Sequence, residues 1–246
     1  MDSSTLSAFS RLSDILDRLR KECPWDSTQT IQSLRYLTIE EVYELSDAII
    51  NLDSDSSNDD LKKELGDILM HIMFYAKIAD DEKRFTLEDV INAISDKLIS
   101  RHPHIFNPHS DQHQSWEQLK MREGRKSVME GVSKALPSLN KAVRIQDKAS
   151  GIGFDFSSPE DAFEKVKEEY NEFNQAKSEE EFGDLLFALV KWGNMLGINA
   201  DDALNKTNNK FIRRFCFIEQ AASQMGKKIS DLSSSQLSEL WLESKN

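Results

Sequence analysis

The chain has 246 residues, 39% of them hydrophobic and 30% charged, a composition typical of a globular protein with one large or two small domains. Its formal net charge of −12 argues against a nucleic-acid-binding surface, although a divalent cation could still bridge it to a small anionic substrate. Two cysteines give no disulfide framework, no apolar run is long enough for a membrane span, and the first residues lack a secretory signal. We therefore expect a reduced, cytoplasmic protein without a membrane or nucleic-acid partner.

Apolar residues recur at helical spacing along the chain, while strand-like alternation is scarce. The pattern predicts a Ser-capped first helix, a second helix around Val42, a polar loop over 51–60 and a third helix from Leu61. A fourth helix ends before Pro103, and a shorter one surrounds Trp116. The predicted fold class is all-α, built as bundles of antiparallel helices.

The helical pattern is interrupted once and then begins again. Residues 123–137 contain glycine and proline and have weak periodicity, so we interpret them as a linker. This division gives an N-terminal domain over 1–122 and a C-terminal domain over 138–246. The second domain is expected to open with a helix that runs from about Ser138 toward Gly151.

The charged motifs of the first half return in the second half. A lone Glu-Glu-x-x-Glu is usually a solvated helix face, but the same ordered set of motifs twice is hard to attribute to composition. A purely structural duplication would preserve the apolar stripe best, whereas here the charged positions persist at least as well. Four segments correspond: EEVYEL (40–45) to EEYNEF (168–173), KELGDILM (63–70) to EEFGDLLF (180–187), DVINAISDKLISR (89–101) to DALNKTNNKFIRR (202–214), and WEQLK (116–120) to WLESK (241–245).

The acidic residues suit a divalent-metal site. Glu41 and Glu44 lie three residues apart on one predicted helix, and Glu64 and Asp67 lie three apart on the next. If the two helices pack antiparallel, four carboxylates converge. Without compensation such a cluster is costly or partly protonated, and all-oxygen ligation suits Mg²⁺ or Mn²⁺.

Each acidic motif also contains a glycine within a predicted helix. Gly66 and Gly183 each cost a helix about 1 kcal/mol relative to alanine. Close approach of a neighbouring helix backbone would explain why glycine is accepted there.

Two lysine–arginine pairs could bind phosphate. Lys97 and Arg101, like Lys210 and Arg214, lie four residues apart and therefore share a helix face. Arginine offers a bidentate fork to phosphate oxygens and lysine a point charge. A salt bridge back to the carboxylates is the alternative interpretation.

Two tryptophan–lysine pairs could bind a nucleobase. Trp116 and Trp241 each offer a ring for base stacking, unless they are simply core residues, and Lys120 and Lys245 follow one turn later. Metal, phosphate and base sites together describe a nucleoside triphosphate. Neither a nucleophile motif nor a Walker A loop accompanies them, which favours attack by a metal-activated water on a phosphoanhydride.

The ordered motifs resemble the MazG nucleoside triphosphate pyrophosphohydrolases in their tandem two-domain form, over nearly the whole chain. The resemblance implies the all-α NTP pyrophosphatase fold, Mg²⁺ dependence and cleavage of NTPs or dNTPs to the monophosphate and pyrophosphate, which would suit nucleotide-pool house-cleaning. It also implies a homodimer whose bundles complete themselves across a two-fold axis. The motifs that carry the resemblance are CPWDSTQT, EEVYELSDAI, ELGDILMHIMFYA, SDKLISRHPHIF, GFDF, EEFGDLLFALV and NKFIRRF.

The resemblance also implies which residues form the sites. The second and third glutamates of each motif, with the later glutamate and aspartate, are implied as metal ligands, and the C-terminal domain is implied to carry most of the activity. Lys210, Arg214, Trp241 and Lys245 match the residues expected there to hold the triphosphate and base. The family's acidic pattern falls on Glu40, Glu41, Glu44, Glu64 and Asp67 in the first half and on Glu168, Glu169, Glu172, Glu181 and Asp184 in the second.

The second acidic motif departs from the family in its spacer. Eight residues separate Glu172 from Glu181, against nineteen between Glu44 and Glu64. The difference removes about three helical turns in total at 3.6 residues per turn. The carboxylates can still meet if only the tip of the hairpin is trimmed.

Two further hypotheses remain open at this point. The chain could be a nucleotide-binding regulatory protein in which one or both sites no longer turn over. It could also be a structural helical bundle whose acidic faces serve only solubility.

Overall fold

A computed structural model describes residues 2–52, 57–106 and 126–245, and within these ranges every regular element is a helix. The predicted all-α fold class is confirmed. The described residues form two compact units, one ending by residue 106 and the other beginning at 126. The boundaries at 122 and 138 stay a prediction, and the short helix expected around Trp116 lies outside the described residues.

The first unit is a hairpin of two long helices supported by two others. Helices α2 and α3 pack along each other, and α1 and α4 pack against α3. Their core contains Leu16, Leu34, Phe74 and Ile78. The elements of this unit are α1 (Ser3–Glu22), a 3₁₀ turn (Asp26–Thr28), α2 (Ile31–Ile50), α3 (Ser57–Asp81), α4 (Leu87–Arg101) and the short α5 (Pro103–Phe106).

Two helix starts in this unit differ from the sequence expectation. The cap of α1 is Asp2 and not a serine, because the Asp2 carboxylate accepts the backbone N–H of Thr5 at 2.8 Å. Helix α3 already includes residues 57–60, which were expected to belong to a loop. Asp59 and Asp60 favour the first turn, since carboxylates stabilise the positive end of a helix.

The second unit repeats the hairpin with a tighter turn. Helices α7 and α8 pack along each other and are joined by Lys177 and Ser178 alone, with Lys177 in the left-handed conformation at φ 48°. Helix α6 packs against α8 and α9, and α10 packs against α9. The elements are α6 (Ser138–Ser150), α7 (Pro159–Ala176), α8 (Glu179–Met195), α9 (Ala200–Gln224), a 3₁₀ turn (Ile229–Asp231) and α10 (Ser234–Glu243).

The described part of the predicted linker, residues 126–137, is fastened to α6. The side chain of Lys148 is 1% exposed, and its ammonium donates to the carbonyl oxygens of Val128 at 2.8 Å and Glu130 at 3.2 Å. A buried ammonium is stable only when its donors are satisfied, so these contacts hold the segment in place. They also bring Met129 beside the helices that carry the second acidic motif.

The expected close approach of a neighbouring helix to Gly66 and Gly183 is wrong within a single chain. A Cβ atom placed on Gly66 or Gly183 would meet no atom of another element within 4 Å. No described helix of the same chain therefore approaches either glycine closely enough to require it.

Candidate functional site

The α7–α8 hairpin brings carboxylates from its two helices together. Oxygen atoms of Glu169, Glu181 and Asp184 lie within 4.8 Å of one another, and Glu168, Glu169 and Glu172 form an overlapping group. The trimmed turn places α8 so that its first turns face the last turns of α7. Ser178 fixes the start of α8, because its hydroxyl accepts the backbone N–H of Glu181 at 3.2 Å.

A lysine one turn earlier on α7 partly neutralises this cluster. The Lys165 ammonium lies 2.6 Å from Glu168 Oε1 and 2.7 Å from Glu169 Oε1. These two ion pairs raise the pKa of Lys165 well above its ordinary value. Loss of hydration, followed by the negative charge of Glu169, raises the pKa of Glu172. The second cluster therefore combines one internal cation with a carboxylate that resists ionisation.

The α2–α3 hairpin of the first unit gathers three carboxylates in the same way. Oxygens of Glu41, Glu64 and Asp67 lie within 4.8 Å of one another, whereas Glu40 and Glu44 are exposed and outside this group. Loss of hydration raises the pKa of both Glu41 and Glu64, and the neighbouring negative charges raise it further. Among the described residues, no ion pair neutralises the three carboxylates.

Both clusters fit a hard divalent cation. All the donors are carboxylate oxygens, which Mg²⁺ and Mn²⁺ prefer. The Oε2 atom of Glu64 is buried without a hydrogen-bond partner among the described residues, a costly state that a bound cation relieves. Burial, followed by the neighbouring negative charges, raises the pKa of Glu41 and Glu64, and a bound cation would favour their ionised forms.

A cavity of about 470 Å³ adjoins the carboxylates of the second unit. Its charged lining residues are Glu169, Asp184, Lys165, Asp155 and Lys191. Its remaining wall is mostly apolar and includes aromatic side chains, among them Phe154 and Phe187. The size and the mixture of apolar wall and few charged groups are those of a small-molecule site.

Comparison with known proteins identifies the family. The family model described as the MazG nucleotide pyrophosphohydrolase domain matches residues 29–106. The nucleoside triphosphate pyrophosphohydrolase/pyrophosphatase MazG of Thermotoga maritima is 40% identical over 96% of this chain and 95% of its own length. The chain belongs to the MazG family.

A second curated relative agrees with this assignment, and one solved structure resembles part of the chain. The nucleoside triphosphate pyrophosphohydrolase of Escherichia coli strain K12 is 38% identical over 98% of both chains. A crystal structure of a mazG-related protein from Thermotoga maritima is 26% identical, covers 47% of this chain and 99% of its own, and has a TM-score of 0.40.

Within the described residues of this MazG-family chain, no helix combines the length and apolarity that crossing a membrane requires.

Of the predicted phosphate and base residues of the second MazG unit, Lys210 and Arg214 lie on α9, Trp241 lies on α10, and Lys245 follows the end of α10. Lys210 and Lys245 are exposed. Arg214 lies over the ring of Trp241 at 5.5 Å, and the same ring lies 5.4 Å from that of Phe211. Trp241 also packs against the core of α9 and α10. No hydrogen bond or ion pair within the described chain joins these residues to the carboxylates.

Their counterparts in the first MazG unit are less completely described. Lys97 is exposed, while the side chain of Arg101 is buried at 8% exposure. Trp116 and Lys120 lie outside the described residues. Lys97 and Arg101 thus differ in exposure, and the expectation that both face phosphate stays a prediction.

Sequence reasoning missed several residues of the second site. Lys165 precedes Glu169 by one helical turn, and the rule that residues four apart on a helix interact could have found this ion pair. Gln146 and Lys191 carry no comparable signal. They reach the cavity only because α6 packs on α8, a contact between helices distant in sequence.

Proposed function

We propose that the carboxylate clusters bind Mg²⁺, with Mn²⁺ as a substitute, and that the second unit is the main catalytic site. Membership of the MazG family makes the chain a nucleoside triphosphate pyrophosphohydrolase and hence a hydrolase. The reaction adds water across the anhydride between the α- and β-phosphates of an NTP or dNTP. The products are the nucleoside monophosphate and pyrophosphate.

One observation carries the assignment to the second unit. Two of its three convergent carboxylates, Glu169 and Asp184, line a cavity large enough for a small ligand, so a cation held there would meet the ligand directly. Glu169 reaches both from α7, and Asp184 reaches both from α8. The proposed activity needs the carboxylates of the two helices to converge, and they do so despite the short hairpin turn.

The protein groups have separable roles in this proposal. Glu169, Glu181 and Asp184 would hold the cation, which supplies charge neutralisation of the triphosphate and activation of water. Lys165 gives Glu169 a counterion before the cation arrives, because its ammonium pairs with that carboxylate. The apolar wall of the cavity excludes bulk water, which strengthens these charge interactions.

The active form is proposed to be a homodimer. Large apolar side chains are exposed on helices of both units: Tyr36 is 61% and Tyr43 56% exposed on α2, and Phe211 is 55% and Ile212 59% exposed on α9. Exposed apolar patches of this kind are typical of protein–protein contacts. A second copy would cover them.

A product assay tests the cleavage. Each NTP and dNTP is incubated with the full chain and Mg²⁺, and the monophosphate, diphosphate, pyrophosphate and inorganic phosphate are quantified separately. Equal amounts of monophosphate and pyrophosphate are expected, and chelation of the metal should stop the reaction. Release of the diphosphate with inorganic phosphate would contradict the proposed bond.

A further inference from the structure

The chain segment before α6 runs back along that helix. Lysines of α6 hold this strap, residues 126–134, at both ends. Lys148 donates to two carbonyl oxygens near its start, and Lys141 donates to the carbonyl oxygen of Lys134 at 2.9 Å. The two lysines lie seven residues apart, which places them on one face of the helix about two turns apart. The strap therefore runs antiparallel to α6.

The strap depends on these main-chain contacts more than on its side chains. Ser127, Met129 and Glu130 are exposed, and Val128 is half-buried. Such a segment buries little apolar surface of its own. The ammonium of Lys148 needs its donors satisfied, because this side chain is only 1% exposed. Since carbonyl oxygens of the strap satisfy two of them, Lys148 fixes the course of the backbone itself.

A tight turn of the strap presents Met129 to the cavity of the second unit. The backbone N–H of Glu130 donates to the carbonyl oxygen of Ser127 at 3.1 Å, so Met129 lies at the tip of the turn. It also lies between the two residues whose carbonyl oxygens accept from Lys148. Met129 lines the same cavity as the carboxylates of α7 and α8, and its flexible, polarizable thioether can pack against ligands of different shape.

We propose that Lys148 is a positioning residue for substrate binding: it holds the strap so that Met129 forms one wall of the cavity against the bound nucleotide. The inference rests on the proposed function, which places the ligand in this cavity. Within the described part of the chain, Lys148 lies outside the cavity lining. Its effect on the nucleotide therefore passes through Met129. In this it differs from Lys165, which lines the cavity and pairs with the carboxylates directly.

Nucleotide binding by Lys148→Met and Met129→Ala tests the inference in the full chain. Calorimetry in Mg²⁺ uses the α,β-methylene analogues of the four NTPs, whose bridging methylene prevents cleavage. Both variants should bind each analogue about fourfold more weakly than wild type, the worth of a contact about the size of one methylene group. Met129→Ala keeps the test sound if the change at Lys148 disturbs folding, because Met129 is 42% exposed.

Kinetics distinguish a positioning role from a merely structural one. For a natural nucleotide, KM should rise about fourfold in both variants while kcat stays at the wild-type value, because ground state and transition state lose the same contact. A partly unfolded enzyme would instead show a lower kcat and an unchanged KM. The double variant should be no worse than Lys148→Met alone, since Lys148 acts through Met129.

Amide hydrogen exchange reports on the strap itself, without nucleotide. Lys148→Met should speed exchange over residues 126–132 by about tenfold, the worth of one hydrogen bond to a charged donor. Lys141→Met is the matched control on the same face of α6. It frees the far end of the strap at Lys134, so exchange over 126–132 and nucleotide affinity should both stay as in wild type.

The outcomes separate this inference from the proposed activity. If exchange over the strap stays at the wild-type rate in Lys148→Met, Lys148 does not hold the strap and the inference is wrong. It is equally wrong if the strap is released but Lys148→Met and Met129→Ala bind the analogues as wild type does. If the variants bind more weakly as expected but no natural NTP is cleaved, the proposed cleavage fails and the role of Lys148 stands.

Discussion

The ammonium of Lys165 lies 2.7 Å from Glu169 Oε1, so the second carboxylate cluster contains its own cation. The matching position in the first unit is Leu37, and no ion pair within the described residues replaces the missing charge. The two clusters are built from the same acidic motif and therefore differ in net charge by the ammonium of Lys165. Among the described residues, the first cluster therefore has no cation of its own, whereas the second has Lys165.

Lys165→Met should change how strongly the second cluster depends on metal. Removal of the ammonium leaves Glu168 and Glu169 without a counterion, so the metal-free protein should unfold at a lower temperature. The more negative cluster should also reach half-maximal Mg²⁺ binding at a lower concentration. Thermal melts and Mg²⁺ titrations by calorimetry measure both effects. The matched change Leu37→Met should alter neither, and equal Mg²⁺ affinity in Lys165→Met and wild type would argue against the role given to Lys165.

A matched pair of aspartates locates the catalytic unit. Asp184→Asn should lower pyrophosphate release by about 100-fold, because a neutral amide is a much weaker ligand for a hard cation. Asp67→Asn should leave most of the turnover, since it alters only the cluster of the first unit. Initial rates with saturating Mg²⁺ make the comparison. The reverse ranking would move the main site to the first unit.

The stability of the metal-free protein should depend on pH through the buried carboxylates of the first unit, whose pKa values are raised. Burial raises the pKa of Glu41 above its ordinary 4.5, so the folded state binds that proton more tightly than the unfolded state does. The free energy of unfolding should therefore fall as the pH rises from 4.5 through the raised pKa. The loss should be complete above it.

Glu41→Gln provides the comparison for this effect. The variant cannot ionise at position 41, so its melting temperature should fall less than that of wild type over the same pH rise in chelator. Saturating Mg²⁺ should remove most of the difference at neutral pH, because the cation stabilises the charged form. Parallel curves for the two proteins in chelator would show that Glu41 is not strained.

Local sequence rules predicted much of the architecture and part of the site. Helical periodicity predicted the hairpins, and the spacing of Glu64 and Asp67 correctly placed both side chains on one face of α3. The same rules could not show that Glu44 would remain exposed, because its direction depends on how α2 rotates against α3. The position of Gln146 in the cavity could not be predicted for a similar reason. Its hydrogen bond to Phe187 forms only because α8 packs beside α6.

The glycine of the second acidic motif should matter to the dimer. Within the chain, a Cβ on Gly183 meets no neighbouring element, so helix propensity alone would favour alanine by about 1 kcal/mol. If the proposed homodimer brings a second copy against this helix, Gly183→Ala should weaken self-association of the full chain. Sedimentation equilibrium measures the dissociation constant of the dimer. Gly226→Ala is not a suitable control, because Gly226 has a positive φ that alanine adopts only with strain. A tighter or unchanged dimer with a higher melting temperature would contradict the expectation.

The turn of Lys177 and Ser178 has a consequence for the order of folding. All carboxylates of the second cluster come from one helical hairpin closed by this turn, so they are near neighbours along the chain. Contacts between residues close in sequence lose little chain entropy and tend to form quickly. The hairpin can therefore bring its carboxylates together before the long helix α9 docks.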